Sequence, residues 1–224
     1  MSAKIISFAT QKGGSGKSTM LMLTAAAFHN RTGKKVLVID CDPQKSVKDI
    51  YKAENQESGN NSYDVISYNW NQPKPEVNFQ KTLAIAEKKF DLIFLDAPGK
   101  VEGKEVYFSI LISDIVVVPL VASALDIKAT IRFLRTIPVV KEVKEKQGFS
   151  LEVFGVINKK DNTVEHQRLV ELAGIGGLQL FDSSLSNLVR YKRGISTIHD
   201  ITHPDLREDE FNTYFEEFRR KCKV

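Results

Sequence analysis

The sequence predicts a doubly wound α/β fold, a mostly parallel sheet with helices on both faces. Three observations predict it. Short apolar runs unbroken by polar alternation recur along the chain, helical stretches separate them, and several runs stop at acidic residues or proline. An apolar run without alternation suits a strand covered on both faces. Strand, helix and strand in that order imply parallel pairing.

The elements follow in order. Lys4-Ile-Ile-Ser-Phe-Ala-Thr10 reads as a buried strand that runs into a glycine-rich turn. Lys17 to Thr32 is a run of good helix formers, and Gly33 stops it, as glycine after a last turn commonly does. Val36 to Asp40 is the second strand. Asp91 to Asp96, Asp114 to Pro119 and Val153 to Asn158 are further strands. Phe79 to Lys89, Leu125 to Lys146 (with a kink or break at Pro138) and Val164 to Ala173 are the expected helices. Residues 54–75 carry few aliphatic side chains and read as a surface excursion, with a short strand from Tyr63 to Tyr68. Residues 204–224 read as a terminal helix. Its Phe211, Tyr214, Phe215 and Phe218 fall three and four apart in one aromatic stripe, which is expected to pack on the domain.

Composition sets the bounds. The 224 residues are 42% hydrophobic, enough for one sizeable core, and residues 1–224 read as a single domain. A charged content of 27% excludes wholesale disorder. Cys41 and Cys222 form no metal-ligand pattern, which fits a reduced, cytoplasmic setting. No signal peptide is expected, and no run approaches the roughly 20 apolar residues of a membrane span. The net charge of +4 permits contact with DNA or an anionic surface.

Gln11-Lys12-Gly13-Gly14-Ser15-Gly16-Lys17-Ser18-Thr19 carries the chemistry. It lies between a strand and a helix, the context a phosphate loop requires. Glycines let the backbone curl so that successive N–H groups face phosphate oxygens, and the following helix adds a dipole that favours anions. Lys17 would reach the β- and γ-phosphates, and the Ser18 hydroxyl would bind Mg²⁺. The general pattern asks for glycine at position 11, where this chain has glutamine. Two strand ends carry aspartates, in Asp40-Cys41-Asp42-Pro43-Gln44 and Asp96-Ala97-Pro98-Gly99. Ligands of open α/β sheets bind at such ends. Carboxylates there could also cap turns.

Lys12 to Ser18 resembles the deviant Walker A motif of the ParA/MinD superfamily of P-loop NTPases, in which glutamine commonly precedes the lysine. The resemblance runs in order from about Ala3 to Ile201, sharply through Asp49 and more loosely beyond. It implies an ATPase using ATP and Mg²⁺. Lys12 would reach across a dimer interface to the partner's nucleotide. Gly13, Gly14, Ser15, Gly16, Lys17, Ser18 and Thr19 would hold the nucleotide. Asp42 would orient the attacking water. Asp40 would support Mg²⁺ through its water shell, and Asp96 would be the Walker B aspartate, with Gly99 in the second switch. Ala97 departs from the family's usual threonine or cysteine. Pro119 to Asp126 resembles the stretch that opens a helix at the dimer face, and Asn158 resembles an adenine-contacting asparagine.

The same resemblance implies a small DNA-partitioning ATPase that dimerises with ATP and binds DNA without sequence preference. A ParB-like centromere-binding partner would stimulate its slow hydrolysis. Such a protein is cytoplasmic and nucleoid-associated. Because the phosphate loop begins near residue 1, no added N-terminal DNA-binding domain is expected. Arg190, Lys192 and Arg193 are candidate DNA contacts, with a solvated basic face as the alternative. A MinD-like membrane-cycling factor is the competing reading. The acidic Glu208-Asp209-Glu210 and Glu216-Glu217 of the terminal helix argue against anionic lipid. A nitrogenase-like reductase is disfavoured because Cys41 and Cys222 do not occupy the sites of a bridging iron–sulfur cluster. A carboxylate-activating synthetase is disfavoured because Asp-x-Asp-Pro-Gln belongs to the switch-like branch.

Overall fold

A computed structural model describes residues 2–10, 13–58, 63–99, 103–160, 169–186 and 208–224. The strands are β1 (Lys4–Phe8), β2 (Val36–Asp40), β3 (Asp64–Ser67), β4 (Leu92–Asp96), β5 (Ile115–Leu120), β6 (Glu152–Lys160) and β7 (Leu178–Ser186). The helices are α1 (Lys17–Thr32), α2 (Ser46–Ser58), α3 (Pro75–Ala86), α4 (Lys104–Leu111), α5 (Ala124–Lys146) and α6 (Glu208–Cys222).

The seven strands form one sheet in the order β3-β2-β4-β1-β5-β6-β7, and each pairing is parallel. β2, β4 and β5 are buried at every residue, which explains their unbroken apolar runs. One face packs against α1, α2 and α6 around Phe8, Phe28, Phe94 and Phe215. The opposite face carries α3, α4 and α5, in two clusters centred on Phe79 and on Phe133. Helices therefore cover both faces, as the doubly wound expectation requires.

α1 occupies the predicted residues. Gly33 closes it in the left-handed conformation at φ 68, with its N–H donating to His29 O. α5 runs unbroken through Pro138, so the expected kink or break is absent from its secondary structure. Pro138 is exposed, and the carbonyl it frees, that of Leu134, lies against Gly176, which has no side chain to clash with it. Of the helix expected at Val164 to Ala173, residues 164–168 lie outside the described residues.

α2, α4 and β7 were not foreseen. Within 54–75 the short strand β3 forms the sheet edge beside β2 and buries Tyr63, Val65 and Tyr68. α6 buries Phe211, Tyr214, Phe215 and Phe218 against α1 and the sheet. Phe218 alone lies within ring contact of Phe8, Phe28, Phe94, Phe181 and Tyr214. Among the described residues no helix is long and apolar enough to cross a membrane.

Candidate functional site

β1 lies at the middle of the sheet, and the chain winds outward from it in both directions. The carboxyl ends beside such a reversal are where open α/β sheets bind ligands. Phe8, Asp96 and Asp40 pair side by side across β1, β4 and β2. Register neighbours project to one face of a sheet. Phe8 points to the α1 face, so both aspartates point there too, under the loop that leads into α1.

That loop is built by glycine. Gly14 and Gly16 hold φ 80 and 86, the left-handed region that favours glycine. A Cβ at Gly13 or Gly14 would meet nothing within 4 Å, so the loop presents bare backbone on an open side. Gly16 caps α1 with no side-chain acceptor, leaving the helix N-terminus to an external anion. The Ser15 hydroxyl is buried and makes no hydrogen bond. Thr19 is half-buried in the first turn of α1.

Asp96 joins the two side chains that follow the loop. Lys17 Nζ forms a buried salt bridge with its Oδ1, and Ser18 Oγ donates to its Oδ2 at 2.7 Å. Asp40 is fully buried. Its oxygens accept the N–H groups of Asp42 at 3.1 Å and Lys48 at 3.0 Å. Burial raises its pKa to about 6, and nearby Asp96 adds to the rise, against the two amide hydrogen bonds and Lys17. Asp42 is half-buried. It accepts Gln44 N–H at 3.0 Å and reaches across to Gly99 N–H at 3.3 Å. Burial, with Asp96 and Asp40 close by, pushes the Cys41 thiol well up, so it is no nucleophile.

Asn158, near the end of β6, donates from Nδ2 to Ser15 O at 2.7 Å and so braces the phosphate loop. The sequence therefore names residues that the fold gathers: Gly13 to Thr19, Asp40, Asp42, Asp96 and Asn158. Lys12, Arg190, Lys192 and Arg193 lie outside the described residues. Two contributors went unforeseen, the backbone N–H groups of Lys48 and Gly99. The spacing Ser46-Val-Lys-Asp49 is that of a capping box and could have announced α2, whose first turn supplies the Lys48 N–H.

Residues 6–193 match the family described as the CobQ/CobB/MinD/ParA nucleotide binding domain. The chain belongs to this family. No curated protein matches it in sequence. Solved structures of family type share the fold. A plasmid partition protein from Borrelia burgdorferi superimposes with a TM-score of 0.70 at 20% identity, over 99% of this chain and 100% of that one. A variant of Cyanothece McdA in complex with ATP gives 0.70 at 18%, over 99% and 97%. Cobyrinic acid a,c-diamide synthase from Mycobacterium smegmatis, with an ATP analogue and magnesium, gives 0.65 at 17%, over 99% and 97%.

The family's nucleotide fits the residues present. The open glycine backbone, the uncapped α1 and the orphaned Ser15 hydroxyl all suit a phosphate chain. One serine hydroxyl and two carboxylates form an all-oxygen donor set suited to Mg²⁺, which usually takes one or two carboxylates and completes its shell with water and phosphate. Among the described residues no cluster of three or more His, Cys, Asp or Glu side chains offers a dedicated metal cage.

Proposed function

We propose that the chain is a Mg-ATP-driven dimerisation switch of the ParA type that partitions plasmid or chromosomal DNA. The observation that carries the reading is the Asp42 carboxylate, which ties the loop after β2 to the loop after β4 beside the phosphate loop. A γ-phosphate arriving there would act on both loops at once.

The N–H groups of residues 13–16 would hold the phosphates. Lys17 would leave Asp96 for the β- and γ-phosphates, and Ser18, Asp96 and a water-linked Asp40 would hold Mg²⁺. Bound Mg²⁺ would neutralise phosphate charge as the terminal bond breaks. Asp42 would accept a hydrogen bond from the attacking water and so orient it. Lys12 from the second subunit would stabilise the charge of the transition state. Orientation by a carboxylate without a strong base makes hydrolysis slow. A ParB-like centromere-binding protein would accelerate it. The ATP dimer would bind DNA through Arg190, Lys192 and Arg193, giving a cytoplasmic, nucleoid-associated protein.

Favouring DNA over a lipid surface is the aromatic stripe of α6, which is covered by the core and not offered to a bilayer. Two measurements test the proposal. Asp42→Ala should accumulate as an ATP-bound dimer in sedimentation while turnover falls by tenfold or more, an order of magnitude in keeping with the loss of a water-orienting group. A random-sequence duplex should shift in a gel only with ATP. Normal hydrolysis by Asp42→Ala would remove its assigned role, and no DNA binding with ATP would remove the partitioning function.

A further inference from the structure

The outer face of α5 carries Lys128, Arg132 and Arg135, all exposed and spaced four and three apart on one side of the helix. From Ile127 to Lys141 the chain contains no carboxylate. Asp126, just before, is engaged with Ser123 in the helix cap. None of the three cations makes an ion pair or hydrogen bond with another described residue.

This differs from the other cationic helix. On α6, Arg219 pairs with Glu216, Arg220 lies 4.0 Å from Asp182, and Lys221 pairs with Glu217. Farther along α5, Lys146 pairs with Glu142. Like charges one turn apart destabilise a helix by a few tenths of a kcal/mol. The stripe therefore carries a small standing repulsion that a polyanion would relieve. It spans about 10 Å at 1.5 Å rise per residue, enough to meet more than one phosphate of a duplex. Two of the three cations are arginines, whose guanidinium fork suits phosphate oxygens.

We infer that this face of α5 is a contact surface for the phosphate backbone of duplex DNA, in addition to the candidate contacts at residues 190–193. A bilayer fits less well. A membrane-surface helix needs a free apolar side, and that of α5, with Phe133, Leu134, Ile137 and Val140, is buried in the core. The inference rests on the DNA reading above and adds a location to it.

The experiment compares the full chain with Lys128→Ala/Arg132→Ala/Arg135→Ala, and separately with Arg190→Ala/Lys192→Ala/Arg193→Ala. Affinity for a random-sequence duplex is measured with ATP and Mg²⁺ between 50 and 200 mM salt. Three lost phosphate contacts should flatten the slope of log K against log salt by about 2 to 3. Over that salt range the wild type should lose about 40-fold more affinity than the α5 variant. Nucleotide affinity should stay unchanged. A wild-type slope in the α5 variant overturns the inference while DNA binding itself stands. A wild type that never binds duplex overturns both. Binding of the stripe to phosphatidylglycerol vesicles in place of DNA would also overturn it.

Discussion

Lys17 and Ser18 both bond to Asp96, so the lysine expected to bind phosphate and the hydroxyl expected to bind metal are held by one carboxylate. A phosphate group that takes Lys17 must break this buried pair, and a metal that takes Asp96 releases the lysine. Magnesium and nucleotide should therefore help each other. Asp96→Asn should tighten ADP binding in EDTA by about tenfold, equivalent to 1.4 kcal/mol. It should also weaken the further gain on adding Mg²⁺. Calorimetry decides, and equal or weaker binding in EDTA would show that the pair does not compete with phosphate. These side chains were legible because a glycine loop followed by Lys-Ser has a local signature. The N–H groups of Lys48 and Gly99 were not, because a backbone donor leaves no mark in residue identity.

At the level of elements, α6 supplies the aromatic half of the core beneath α1. Phe28 meets both Phe215 and Phe218, while Tyr214 Oη and Thr24 Oγ1 lie 2.9 Å apart in a buried hydrogen bond. Phe218→Ala should destabilise the protein by about 3–5 kcal/mol, the usual cost of truncating a buried phenylalanine. Urea unfolding measures this, and a loss below 1 kcal/mol would mean that α6 is peripheral. α6 also serves the sheet edge. A register shift between β6 and β7 leaves Asp182 and Ser183 outside the ladder, and the Glu217 carboxylate accepts both N–H groups. The aromatic spacing announced the buried stripe, since a helix repeats every 3.6 residues. Nothing local announced the glutamate, because its partners are peptide groups of a distant strand. β7 escaped notice for a related reason. Its buried residues, Leu178, Phe181, Ser183 and Leu185, keep no strict period of two, because the register shift interrupts it, and one of them is polar.

The stability of the whole molecule against pH should carry the mark of Asp40. Its pKa rises from 3.8 to about 6 through burial, so the native state keeps a proton that the unfolded chain releases. Its contribution is fully present below about pH 4 and falls as pH rises through about 6, at up to about 1.4 kcal/mol per pH unit. Glu217 acts in the opposite sense. Burial would raise its pKa, but hydrogen bonds from Ser183, Asp182 and Lys221 outweigh this and lower it. Its contribution is present above the ordinary glutamate pKa and is lost in acid below it. Urea unfolding of nucleotide-free wild type and Asp40→Asn at several pH values isolates the first effect. The difference should shift in favour of the variant as pH rises through the Asp40 window. Parallel profiles would show that Asp40 does not titrate as described.

By itself the sequence determined the doubly wound, mostly parallel class of the sheet, the phosphate loop and the strand-end aspartates. Each is written in short-range pattern: apolar runs, glycine positions, residues a few places apart. Only the tertiary structure decided that Asp40 and Asp96 share a row with Phe8, that Asn158 braces Ser15 across 143 residues, and that α6 closes the core over α1. These depend on strand order and helix docking, in which contact free energy is gained between residues far apart in the chain.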